Sequence, residues 1–392
     1  MSLQLLVAGG GIGGLASALA LAQAGHRVEL VEQSPEFGEI GAGIQLGPNA
    51  TRRLQSIGLG DALDAVAARP DELTVRSAAD DRALAQLALG NAMQQRYGAP
   101  YRCVHRADLH ALLLTAARDR AEIALHSAAR IVQIERSDDA VAMGTADGRA
   151  WEGDALVGAD GLWSVVRPRL EDAGAAPRPT GHTAWRGLVQ QDALPPALRS
   201  NDVRVWLGRR LHALVYPLRR GEILNVVVLA EAAPAGDARD WNQATSLDAL
   251  QQATGACCTA LQDYLSAVPT WRAWTLHDRA PLGGPAQMAH ERIALVGDAA
   301  HPMLPYLAQG AGMAIEDAVA LAEALRGTDA QAVPAALRRF ADARWRRNAQ
   351  VQARARRNAT VFHAAGPLRI ARDLAMRTLG ARLLDQPWLY GA

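Results

Sequence analysis

The sequence predicts an α/β fold, a Rossmann-like parallel sheet that carries an inserted mixed sheet. Three observations predict it. A short apolar run, Leu3 to Ala8, feeds directly into Gly9-x-Gly11-x-x-Gly14 and then into an Ala/Leu-rich stretch. A second run, Arg27 to Val31, ends at Glu32, 18 positions beyond Gly14. Two further apolar runs, far down the chain, end in the turns Asp160-Gly161 and Gly297-Asp298. Short apolar runs closed by Gly or Asp are the mark of buried parallel strands, and helices between them build a doubly wound sheet.

Composition narrows the chemistry. The chain has 392 residues, 49% apolar and 21% charged, with a net charge of +1. That is an ordinary globular composition, and it argues against a nucleic-acid surface. At about 150 residues per domain, the length suits two or three domains or one large unit with an inserted lobe. All 41 Lys+Arg residues are arginine. A P-loop needs its lysine, and pyridoxal or Schiff-base chemistry needs a lysine amine, so both classes are excluded. The three cysteines, Cys103 and the adjacent Cys257-Cys258, make no disulfide framework, so a cytoplasmic location is expected. Residues 2–25 carry no charge. Five glycines within 9–14 nevertheless suit a tight turn, and no integral membrane segment is expected.

Each element follows in order. In the glycine-rich turn, one glycine makes the bend, one lets the backbone approach a pyrophosphate, and one packs helix on strand. Leu15 to Ala24 reads as the helix, closed by Gly25. Phosphates sit at such a helix N-terminus, where free N–H groups and the dipole favour anions. Glu32 is placed to accept from a ribose 2′-hydroxyl, which favours FAD or NAD over NADP. Strands over 72–89 leave this domain, Asp108 to Arg118 is helical, and strands at 122–135 and 139–145 return to it. A second sheet holds Val203–Leu207, Leu211–Leu218 and Ile223–Ala230, followed by a loop from Pro234 to Asp240. Cys257-Cys258 is expected in a helix, as an inert pair. Gln309-Gly310-Ala311-Gly312 leads into a helix, Met313 to Leu325. The eight arginines within 338–357 read as a solvated helix face with acidic partners. The ten histidines show no HxH or HExxH spacing, so no metal site is expected.

GxGxxG, then His105-Arg106-x-Asp108-Leu109-His110, then Asp160-Gly161, then Gly297-Asp298-Ala299-Ala300-His301-Pro302 is an ordered set. It resembles the single-component FAD-dependent aromatic hydroxylases, the group A flavoprotein monooxygenases, over about residues 1–350. Gly41–Asn49 and Tyr306–Gly312 are similar to the branch of salicylate hydroxylase, 3-hydroxybenzoate 6-hydroxylase and 6-hydroxynicotinate 3-monooxygenase. The resemblance implies the GR2-type flavoprotein hydroxylase fold. Its discontinuous FAD-binding domain would take 1–70, 100–176 and 286–330, its substrate-binding domain 71–99 and 177–285, and a C-terminal helical segment 331–392. It also implies FAD as cofactor, NADH or NADPH as transient co-substrate, O2, and a monomer or homodimer. No second GxGxxG is present, which fits a class whose nicotinamide binds transiently at a shared surface.

By position, the resemblance gives Gly9, Gly11 and Gly14 the pyrophosphate, Glu32 the adenosine ribose and Arg106 the phosphates or ribityl chain. The backbone near Ile131 would meet the adenine. Asp160 would serve flavin and nicotinamide placement, Asp298 the ribityl hydroxyls, and Gly310 and Ala311 the flavin pyrimidine. An Asp at the C-terminal end of a parallel strand does point into the ligand crevice of such sheets. The implied reaction hydroxylates a small phenolic acid, of the salicylate or 3-hydroxybenzoate type, through a flavin C4a-hydroperoxide. A bulkier aromatic natural product, or oxidase or reductase chemistry, is the alternative.

Phenolate is a better nucleophile than phenol, so a base near the substrate hydroxyl matters. His212 and Tyr216 are the candidates, four apart on one strand face and about 13 Å from each other by rise. Gln45 and Pro302 complete the expected substrate contacts. Gln45 stands where the hydroxynicotinate enzymes carry a catalytic His, and a neutral amide cannot act as a base. Arg186 is an arginine fit to hold a substrate carboxylate in bidentate fashion.

Overall fold

The computed structural model describes residues 2–38, 41, 43–170, 172–233 and 236–391. Ala42 of the Gly41–Asn49 motif and Pro234 at the head of the expected loop lie outside the described residues.

The first sheet grows from the glycine-rich motif. Its central strand, Gln4–Ala8, pairs in parallel with Arg27–Val31 on one side and Ala155–Gly158 on the other. The six-stranded order runs Ala289–His290, Ile293–Leu295, Ala155–Gly158, Gln4–Ala8, Arg27–Val31, Ile123–His126. Leu5, Leu6 and Val7 are fully buried, and each such Leu contributes about 1.5–3 kcal/mol by leaving water. The Ile12–Gln23 helix and the Gly310–Leu325 helix pack on each other within the same core. The strand expected over 122–135 is two strands, because the chain turns at Ala128 (φ +50°). Ile131–Arg136 then joins Val141–Thr145 and Ala150–Gly153 in a separate three-stranded sheet.

The second sheet has eight strands, in the order Gln243–Thr245, Trp271–Asp278, Arg178–Gln190, Ile223–Glu231, Leu211–Leu218, Val203–Gly208, Glu72–Ser77, Ala83–Ala88. Glu72–Ser77 pairs in parallel with Val203–Gly208; the other pairs are antiparallel. A short hairpin-like pair, Gly43–Leu46 with Arg102–His105, forms a further two-stranded sheet. Cys257 and Cys258 precede the helix Thr259–Ala267 rather than lying in it, and Cys258 is its N-cap.

Val333–Phe362 is a 30-residue helix. Five of its eight arginines, Arg338, Arg339, Arg346, Arg356 and Arg357, are exposed as expected, but not all are. Arg344 is buried and donates to Glu316 Oε2 (2.8 Å) and Asp317 Oδ1 (2.9 Å). Arg347 donates twice to Glu316 (2.7 and 2.8 Å), and Arg356 pairs with Asp278. The acidic partners thus come from the Gly310–Leu325 helix and the second sheet; they draw Arg344 and Arg347 inward, while Arg356 stays exposed. Among the described residues no helix is long and apolar enough to cross a membrane.

Candidate active site

One cavity of about 700 Å³ runs from the glycine-rich turn to the face of the eight-stranded sheet. Its wall includes Gly9, Gly11, Glu32, Arg106, Ile131, Asp160, Asp298, Gly310, Ala311, Gln45, Tyr216 and Pro302. Gly14 stands behind it, for a steric reason. A Cβ on Gly14 would lie 1.9 Å from the Gly9 carbonyl oxygen, and one on Gly9 (φ +106°) 2.5 Å from that of Ala159. The turn is therefore folded tightly onto the Ala155–Gly158 strand end, with backbone lining the cavity. Glu32 accepts from the backbone N–H of Gly10 (2.7 Å) and Ser34 (2.8 Å), so it holds the turn as well as facing the cavity. His110, in the expected motif but given no role from the sequence, is buried with Nε2 2.8 Å from the Gly10 carbonyl. It fixes the next peptide, through the carbonyl of the same residue.

Two helices present their N-termini to this cavity, and neither is capped by a side chain. Gly11 precedes Ile12–Gln23, and Gln309 precedes Gly310–Leu325. Uncapped first-turn N–H groups are anion sites, and two such helix starts line this one cavity. Asp160 fits the same group. Its Oδ2 accepts from Val165 N–H (2.7 Å) and Val166 N–H (3.1 Å), while Oδ1 is buried without a partner. Burial pushes its carboxyl up, against the pull of the Ser164 and backbone donors. The Asp160-Gly161 and Gly297-Asp298 turns are tied together by Arg167, whose Nη1 donates to the Ala299 carbonyl (2.8 Å). Burial lowers that guanidinium to about 10.

A polar network sets the Gly297-Asp298 turn from behind. Asp317 accepts from Gly297 N–H (3.2 Å), Arg344 and Asn348 (3.0 Å), and its Oδ2 also meets His301 Nε2. Burial alone would raise the Asp317 carboxyl, but the His301 and Arg344 charges hold it well below the usual carboxylate range. Glu316, three-way bound to Arg344, Arg347 and Asn49 (2.7 Å), extends the network to the Gly41–Asn49 segment. His301 belongs to this network: it is fully buried and does not line the cavity.

The sheet face closing the cavity is apolar with a few polar groups. Ala184, Leu214, Val227, Leu229, Trp274 and Leu276 supply the wall; Arg186, Tyr216, Asn225, Gln45, Thr275 and His277 supply the polarity. Gly43 permits this approach, because a Cβ there would sit 2.4 Å from the Tyr216 ring. Gln45 Oε1 accepts from the Tyr101 hydroxyl (2.7 Å), which leaves its NH2 for other partners. Asn225, directly across the ladder from Tyr216, is fully buried, and neither polar atom of its amide makes a hydrogen bond among the described residues. Arg186 lies over the Trp274 ring at 5.1 Å and donates to Asn242 (3.1 Å).

His212 and Tyr216 are not brought together, and this corrects the expected pair. Strand rise carries His212 past the cavity to a buried place under the end of the long helix, where Nδ1 lies 3.1 Å from His363 Nε2. Burial, with His363 and His182 beside it, pushes His212 well down. Burial likewise pushes the Tyr216 phenol far up, so it keeps its proton at neutral pH and acts as a donor. Asn225 was not singled out from the sequence. Only strand register places it opposite Tyr216.

Comparison with known proteins agrees with this geometry. The FAD binding domain family model matches residues 2–355. The chain is 38% identical to 3-hydroxybenzoate 6-hydroxylase of Polaromonas naphthalenivorans, over 99% of this chain and 96% of that one. HpxO of Klebsiella pneumoniae, solved with FAD and uric acid, superposes with a TM-score of 0.85 at 27% identity, covering 97% of this chain and 94% of that one. A salicylate hydroxylase substrate complex gives 0.84 at 27% identity, over 100% and 96%. The motifs, the two-sheet architecture and the cavity between them thus have one source: the chain belongs to the FAD binding domain family, as an FAD-dependent monooxygenase of the aromatic hydroxylase kind.

Proposed function

We propose that this enzyme hydroxylates a small phenolic carboxylic acid, of the 3-hydroxybenzoate or salicylate kind, with O2 and NADH or NADPH as co-substrates. One observation carries the reading. Arg186 and the neutral polar side chains of Tyr216, Asn225 and Gln45 share one stretch of the cavity wall with the apolar Ala184, Leu214, Val227 and Leu229. A guanidinium fork suits a carboxylate, and the amide and phenol groups suit a ring hydroxyl. Bound FAD supplies the reduction by nicotinamide and the activation of dioxygen. The first helix N-terminus, with Gly9, Gly11 and Gly14, would hold the pyrophosphate; Glu32 the ribose, Ile131 the adenine, Arg106 the phosphates or ribityl chain, Asp298 the ribityl hydroxyls. Asp160 would help place flavin and nicotinamide, and Gly310 and Ala311 would face the flavin pyrimidine.

Tyr216 orients the ring by donating from its hydroxyl. With His212 outside the cavity, the substrate's ionisation is favoured by hydrogen bonds and the Arg186 charge rather than by the His212 imidazole. The unbridged Cys103, Cys257 and Cys258 support a reducing, cytoplasmic location. The test is parallel incubation with salicylate and 3-hydroxybenzoate, following NADH oxidation and product. One should stimulate oxidation and take up one oxygen atom per turnover. Aromatic acids that yield only hydrogen peroxide at the unstimulated rate would overturn the assignment. Arg186→Gln should raise KM for the acid at least about tenfold and leave KM for the corresponding carboxamide unchanged.

A further inference from the structure

We propose that His182, Glu231 and His363 form a binding site for a divalent transition-metal ion of the zinc type, where two strand ends of the eight-stranded sheet meet the end of the long helix. His182 and Glu231 are direct cross-strand partners on Arg178–Gln190 and Ile223–Glu231. His363 is the residue that ends the long helix Val333–Phe362, packed over that sheet end. One ligand-type atom from each residue lies within 4.8 Å of the other two. The residues are 49 and 132 positions apart in the chain, so no local motif reveals them.

Neighbouring hydrogen bonds decide which nitrogens are available. His182 Nδ1 is held by the Tyr306 hydroxyl, and His363 Nε2 by His212 Nδ1 at 3.1 Å. The nitrogens left are Nε2 of His182 and Nδ1 of His363. Nδ1 of His363 is buried and has no hydrogen-bond partner among the described residues. Metal-binding imidazoles are usually pinned in this way, through the ring nitrogen that does not ligate. Here both are.

Two imidazoles and one carboxylate, with a fourth position open to water, is a ligand set that zinc accepts. His182 and Glu231 are only partly buried, so solvent reaches that fourth side. Tetrahedral ligands at about 2.1 Å stand about 3.4 Å apart, against at most 4.8 Å between the ligand-type atoms here, so the three side chains would draw inward on binding. Arg210 Nε now meets one oxygen of Glu231 (2.5 Å), and the other oxygen remains for a metal. Arg372 lies beside His363 but is paired with Asp373 (2.7 Å), which moderates its repulsion.

Occupancy would clamp the strand ends to the helix end. Cavity-wall residues Ala184, Leu229 and Leu214 lie two positions from His182, Glu231 and His212, about 7 Å along their strands. The site is therefore next to the substrate wall but outside it.

The experiment is equilibrium dialysis of chelator-treated, FAD-loaded enzyme against Zn2+, with millimolar Mg2+ present to occupy non-specific acidic sites. Thermal melts run in parallel. Wild type should bind one Zn2+ per chain and melt higher with it. Glu231→Gln and His182→Gln, at partly exposed positions that should tolerate the change, should each weaken binding at least tenfold while retaining FAD. Failure of wild type to bind Zn2+, or equal binding by both variants, overturns the proposal.

Discussion

Replacing Arg344 by Met tests whether the buried network, rather than apolar packing, holds the Gly297-Asp298 turn in place. Arg344 is the only side chain among the described residues that reaches both Glu316 (2.8 Å) and Asp317 (2.9 Å). Both carboxylates are at most 4% exposed. Met keeps the volume and the helix but leaves Asp317 with His301, Asn348 and one backbone N–H. Removing one partner of a buried ion pair costs about 3–5 kcal/mol. The pH dependence carries a sign. Asp317 is depressed in the folded enzyme, so its contribution is complete above the unfolded-state carboxyl pKa of about 3.9 and is lost as pH falls through the lower folded value. In the variant the burial that opposes ionisation is less well countered, and the folded carboxyl rises. The stability gap between the two proteins is then widest well above the unfolded-state carboxyl value and narrows as pH falls through the variant's folded value and on below about 3.9. Guanidinium unfolding at several pH values, with FAD release monitored by fluorescence, measures both quantities. A gap under 1 kcal/mol, or one constant across pH with unchanged FAD affinity, would refute the reasoning.

Three further outcomes are expected. Gly14→Ala forces a Cβ to 1.9 Å from the Gly9 carbonyl oxygen; backbone cannot yield there, so the purified variant should lose FAD, as its absorbance near 450 nm would show. Asn225→Leu removes an amide buried without partners, and it should raise stability by about 1–3 kcal/mol while weakening aromatic-acid binding, read from perturbation of the flavin spectrum. Arg106→Ala should loosen FAD in dialysis against apoprotein traps, and unchanged retention would remove Arg106 from the cofactor contacts.

What the sequence made legible was local. The strand, glycine turn and helix of residues 4–23, with Glu32 beyond, declare themselves within one short segment, because their order and spacing are local even though Gly9 packs against Ala159. The Asp160 and Gly297-Asp298 turns were visible for the same reason. Arg344 was not, since its carboxylate partners lie 27 and 28 positions away on another helix, and a row of arginines looks like a solvated face until those partners arrive. His212 went wrong through a correct rule used too far: residues four apart on a strand share a face, but the wall of a small cavity ends before the strand does. Asn225 and the His182, Glu231, His363 cluster depend on cross-strand register, which no single-strand pattern reports.

The long helix Val333–Phe362 runs about 45 Å and is bonded to both sheets' neighbourhoods along its length. Arg344 reaches the Gly310–Leu325 helix, Gln352 takes the Pro302 carbonyl and the Leu282 N–H, Arg356 takes Asp278, and Asn358 takes the Tyr306 carbonyl. A rod fastened at so many points fixes the separation of the two sheets, and with it the height of the cavity between them. Cofactor pocket and substrate wall therefore have no independent melting temperatures: heat or denaturant should release flavin and dissolve the eight-stranded sheet in one transition.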